Sequence, residues 1–110
     1  MKLPEHSFAV TDWSTLPTTR HEGAIGHALW RTVMMGEARI RMVEYSPGYL
    51  ADHWCDRGHV TLVLEGEVVS ELQDGRAFSL QAGTSYRVSD FGDSPHRSRT
   101  ATGCRLFIVD

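Results

Sequence analysis

No stretch of this chain approaches the roughly 18 consecutive apolar residues of a membrane span. Met1 to Val10 carries Lys2, Glu5 and His6 where an export signal would be uninterrupted and apolar. Basic charge is also scarce. Lys and Arg number 11 against 14 Asp and Glu, a formal net charge of -3, and no cluster of cations exists to draw in phosphate backbones. The expectation is a cytoplasmic protein with neither membrane nor nucleic acid as a partner. Cysteine is limited to Cys55 and Cys104, too few for a disulfide scaffold, and in a reducing compartment both remain thiols. No window places apolar residues at the three-four spacing of an amphipathic helix, which excludes a helical bundle. A length of 110 residues leaves room for one core.

What remains is short strand-like runs punctuated by turn residues. Strands are expected over residues 24–33 and Ala38–Tyr45, the latter alternating Ala38, Ile40 and Met42 with Arg39 and Arg41, as if one face were buried and the other wet. Ser46-Pro47-Gly48 ends that strand. Runs over 59–64 and 68–72 flank Glu65-Gly66-Glu67, and Asp74-Gly75 turns the chain into 77–80, so two successive hairpins are predicted. Further strands over 85–88, 97–102 and 105–109 complete an all-β domain of about eight strands, a sandwich or barrel. Residues 1–22 form a polar lead-in that serves as an edge strand or lid, and 23–110 form the barrel.

The segment His53-Trp54-Cys55-Asp56-Arg57-Gly58-His59 carries the chemistry. His53 and Cys55 lie two apart and so share one side of an extended segment, the geometry chelation needs. His59 follows at the start of a strand. His96, in Ser94-Pro95-His96-Arg97, arrives where a barrel can return it to the first three. His53, Cys55, His59 and His96 are therefore the candidate metal ligands. Asp52 and Asp56, neighbours of inward residues, are at most partners to the ligands. His6, His21 and His27 have no matching spacing, and Arg41, Arg97 and Arg99 can either clamp a carboxylate or lie solvated. Trp30, Trp54, Tyr49 and Tyr86 read as packing or dimer surface.

The spacing His53-x-Cys55-x3-His59-x6-Gly66, followed by Gly83 and His96, resembles the two motifs of the cupins, G-x5-H-x-H-x3-E-x6-G and G-x5-P-x-G-x2-H-x3-N, with two ligand types changed. Gly48 precedes His53 by one residue fewer than that pattern has, and the second motif retains only Gly83 and His96. From Thr11-Asp12-Trp13-Ser14 through Asp52-His53-Trp54-Cys55 to Leu106-Phe107-Ile108-Val109-Asp110, the chain is similar to small single-domain bacterial cupins named for a DHCW motif. The resemblance implies a double-stranded β-helix, or jelly-roll barrel, one bound metal and a homodimer. It carries no assigned reaction.

Exchanging one His for a Cys thiolate and the Glu for a His keeps the ligands' total charge while softening the set. Zinc, iron or nickel is then preferred over manganese or magnesium, one divalent ion per chain. Two functions follow. Four protein ligands close a tetrahedral zinc and make it structural, in a non-catalytic ligand-binding or sensor barrel. Three leave a position open for a small polar metabolite to be bound or transformed. Ligand number, which sequence does not fix, separates enzyme from binding protein.

Overall fold

The computed structural model describes residues 3–110 as two packed antiparallel sheets with a single 3-10 turn, Trp13–Thr15, capped by Asp12. Eight strands run in order: β1 (Thr19–Glu22), β2 (His27–Met35), β3 (Ala38–Tyr45), β4 (His59–Leu72), β5 (Ala77–Gln81), β6 (Ser85–Val88), β7 (His96–Arg99) and β8 (Cys104–Val109). The first sheet is ordered β1-β2-β3-β8-β4-β6, and the second sets β5 and β7 against the other half of β4. Among the described residues no helix is long and apolar enough to cross a membrane. The fold is an all-β jelly roll. Within the lead-in, residues 19–22 pair with β2 as an edge strand.

The two predicted strands around Glu65-Gly66-Glu67 are one strand, a correction to the first of the two expected hairpins. Its first half pairs with β6 and β8, its second with β5 and β7, and a bulge separates Val63 from Glu65. Gly66 lies at the crossing with φ of 73°, and a Cβ there would overlap the Gly103 carbonyl oxygen. Turn-like composition thus marks the place where a strand changes sheets rather than where the chain reverses. The result is a V whose arms lie in facing sheets. Asp74-Gly75 does form the expected hairpin, with Gly75 at positive φ and Leu72 bonded to Arg76.

The core is small, with Ala28, Val43, Val63, Val68, Leu106 and Ile108 buried among both sheets. On β3 the expected orientation is reversed. Arg41 is 5% exposed, in the inward row with Val43, whereas Ile40 and Met42 alternate onto the outer face. The Arg41 guanidinium carbon lies 4.3 Å from the Trp30 ring centroid, and its Nη2 donates to Asp110 Oδ2 at 3.1 Å. Asp110 also accepts from Arg39 at 3.1 and 2.8 Å, and its side chain is 2% exposed. Paired and stacked in this way, a guanidinium can occupy a position that alternation alone assigns to the wet face.

Candidate functional site

Register places three polar side chains and Ile108 in one row across the inside of the first sheet. Arg41 is opposite Ile108, Ile108 opposite Thr61, and Thr61 opposite Tyr86, so all four side chains share the inward face. One step along, His59 faces Val88. His96 lies opposite Leu72 at the far end of β4, yet the V of that strand brings the two histidine rings together, centroids 4.7 Å apart. The Tyr86 hydroxyl is hydrogen-bonded to His59 Nε2 at 2.9 Å. His59, His96 and Tyr86 thus form one edge-to-face cluster.

Of the four sequence candidates, this cluster contains His59 and His96. Cys55 is held beside His96: each residue's N–H donates to the other's carbonyl oxygen at 2.8 Å, which puts the two side chains on one face. His53 is not brought in. A bend at Asp52-His53 breaks the alternation that would align it with Cys55, and its ring is 73% exposed with Nδ1 2.6 Å from Asp52 Oδ1. Trp54 lies under the Arg97 guanidinium, and Arg97 and Arg99 both pair with Glu71, so these two arginines hold a carboxylate of the protein itself.

Burial, then the neighbouring His96, lowers the His59 pKa to about 4 against a weaker opposing pull from Asp110, so the imidazole is neutral at neutral pH. Burial lowers His96 as well. The Tyr86 phenol is pushed up by burial despite the nearby Thr61 and Ser70 hydroxyls, and remains a protonated donor. Among the described residues three buried polar atoms have no hydrogen-bond partner: His96 Nε2, Thr61 Oγ1 and Arg41 Nε. Buried polar groups are nearly always satisfied, so such a set on the inner wall is where a ligand or ordered water completes the structure. Thr61 and Ser70 do not stand out as site residues in the sequence, Arg41 does only as one of three arginines able to clamp a carboxylate, and Tyr86 reads as packing or dimer surface although the apolar-polar alternation of Tyr86-Arg87-Val88 already puts it on the inward face.

Two cavities reach the cluster. A shallow cleft of about 730 Å³ runs past His59 between Glu37, Arg57, Asp90 and Asp110. A more enclosed one of about 330 Å³ ends on His96, Tyr86 and Ser70.

The fold has counterparts among solved structures. An RmlC-like cupin from Shewanella frigidimarina matches 99% of this chain and 92% of its own at 22% identity, with a TM-score of 0.69. The polyketide cyclase RemF from Streptomyces resistomycificus matches 93% and 78% at 20% identity, TM-score 0.76. Ectoine synthase from P. lautus matches 93% and 76% at 17% identity, TM-score 0.71. The chain has the cupin fold. No family model matches its sequence, and neither does any curated protein.

Whether this cupin barrel suits a metal is decided by its donors. Two neutral imidazoles in ring contact, one with a buried Nε2 lacking any partner, and a thiol on the adjoining strand suit a divalent transition ion. As they stand, no three His, Cys, Asp or Glu side chains among the described residues are grouped closely enough to enclose one. The donor set fits in kind, as two histidines plus Cys55, and not as the full quartet.

Proposed function

We propose that this cupin binds a small polar metabolite inside its barrel at an open divalent transition-metal centre, with zinc, iron or nickel held by His59 and His96 and Cys55 as the third protein donor. The observation that carries the reading is the buried, unpartnered His96 Nε2 beside a second neutral imidazole. Three donors rather than four is what the exposed position of His53 supports, and three leave coordination positions for a metabolite oxygen or water. The closed, structural zinc reading needs a fourth donor from the same chain, so it is the weaker of the two. When bound, such an ion polarises a ligand oxygen or lowers the pKa of a bound water.

The chain's own groups supply the rest. Tyr86 presents a protonated hydroxyl to the interior. Asp110 neutralises the arginine beside the site, and Val43, Val63 and Leu106 wall the barrel below it.

Uptake of zinc, nickel and ferrous iron by chelator-treated protein, read by calorimetry and elemental analysis, tests the proposal. About one ion per chain is expected, with affinity lowered at least tenfold by His96→Ala or His59→Ala and changed little by His53→Ala. Folded protein that takes up none of the three ions overturns it.

A further inference from the structure

We infer that the ligand of this barrel is an uncharged amphipathic molecule, with an aromatic or aliphatic body and a hydroxyl or carbonyl at one end. The inference rests on reading the barrel interior as the binding site. The 330 Å³ cavity, the more enclosed of the two, decides the size: taking about 30 Å³ for the volume of a liquid water, it holds about eleven of them, or a ligand of about 10 to 15 non-hydrogen atoms.

Its walls decide the chemistry. Phe78 is opposite Ser70 and Leu72 opposite His96, so each apolar side chain shares the inward face with a polar one. Leu80 and Val88 complete the apolar wall. Phe78 points into the barrel from β5 and is still 49% exposed, an inward aromatic that nothing in the described chain covers. The polar atoms, on Tyr86, Ser70 and the unpartnered Nε2 of His96, lie beside these apolar side chains.

Among the described residues no free cation stands beside Tyr86, Ser70 and His96. Two arginines line the cavity: Arg76 is already tied to Asp74 and Asp93, and Arg87 alternates with the inward Tyr86 and Val88 on β6, so its guanidinium is directed away from His96 and Ser70. In the metal-free barrel a carboxylate or phosphate would enter this cavity without a counter-charge beside His96, which is costly against its apolar walls. A wholly polar molecule would leave Phe78, Leu72 and Leu80 uncovered. A hydroxyl or carbonyl on an apolar body satisfies both kinds of wall, its oxygen accepting from or donating to Tyr86 and Ser70 while the body covers Phe78, Leu72 and Leu80.

The test uses 2-naphthol, which has the size of the cavity, against 2-naphthoate and malonate, with binding followed by methyl shifts of Leu72, Leu80 and Val88 in chelator-treated and in zinc-loaded protein. The expected result is naphthol binding at least tenfold tighter than either anion in the chelator-treated protein, with those methyls shifted. Phe78→Ala should weaken naphthol about three- to tenfold, Phe78→Leu should restore most of it, and Tyr86→Phe should cost about fivefold through the lost hydrogen bond. Anions binding as tightly as naphthol, or naphthol shifts confined to the outer sheet face, overturn the inference. Zinc uptake is scored separately. Protein that binds naphthol but no metal sinks the metal centre and leaves this inference standing, whereas protein that takes zinc but prefers naphthoate does the reverse.

Discussion

Removing the Asp110 carboxylate is the sharpest test of how this barrel tolerates charge. Burial alone would raise that carboxyl, but its bonds to Arg39 and the charges of Arg41 and Arg39 outweigh burial and hold it below the usual range, so it is ionised at neutral pH. Asp110→Ala deletes the acceptor of three hydrogen bonds and strands the Arg41 guanidinium, whose side chain is 7% exposed. Breaking a buried pair from one side costs about 3–5 kcal/mol, a large share of the roughly 5–15 kcal/mol that holds a domain together. With a urea slope of about 1–3 kcal/mol/M, the unfolding midpoint should fall by at least about 1 M. Arg41→Met in the same background should recover part of the loss, since the stranded charge is then gone and Arg39 can reach solvent. Urea unfolding of wild type, both single variants and the double variant closes the cycle. A loss under about 1 kcal/mol for Asp110→Ala, or no recovery in the double variant, refutes the account of a charge held inside by one carboxylate.

Other outcomes follow from the same structure. His59 is neutral in the folded state down to pH about 4 and protonates near 6.5 when unfolded, so metal-free protein should keep this contribution above pH 6.5 and lose up to about 3 kcal/mol as pH falls toward 4; NMR titration of the ring and urea melts across that window check it, and a ring titrating near 6.5 in the folded state counts against it. Gly66→Ala should destabilise by more than about 1 kcal/mol, because positive φ and the Gly103 carbonyl leave no room for a methyl, and a neutral effect in thermal melts would contradict the crossing geometry. Leu106→Ala should cost about 2–5 kcal/mol in the same melts, as its side chain is fully buried, and a loss under 1 kcal/mol would mean the core lies elsewhere. Val60, Leu62 and Leu64 line the outer face of β4, so Leu62→Glu should shift the proposed homodimer toward monomer in sedimentation, and unchanged association would place the dimer contact elsewhere.

Strand runs and turn residues made the all-β class readable, and the spacing around His59 and His96 pointed to the inner wall. Readings failed where a local rule met a tertiary exception. Glu65-Gly66-Glu67 has hairpin composition, but the partners that β4 finds in both sheets turn it into a corner. Arg41 looks wet by alternation, yet Asp110, 69 residues away in sequence, compensates it indoors. His53 and Cys55 should share a side, and the bend at Asp52-His53, which follows contacts of residues 48–51 with β7 and residues 100–101, separates them. Tyr86 reads as packing or dimer surface in the sequence because a tyrosine in a strand is ordinarily just that. Its role depends on what stands across the barrel.

X-ray absorption of zinc- or nickel-loaded protein counts the donors directly and so tests the open centre more closely than any affinity. Two imidazoles and one sulfur, with one or more further light atoms that exchange when an oxygen ligand is added, is the expected shell, and the sulfur should vanish in Cys55→Ser while His53→Ala leaves the spectrum unchanged. A closed shell of three imidazoles and one sulfur that loses a nitrogen in His53→Ala, or an ion with neither imidazole nor sulfur around it, would contradict the account.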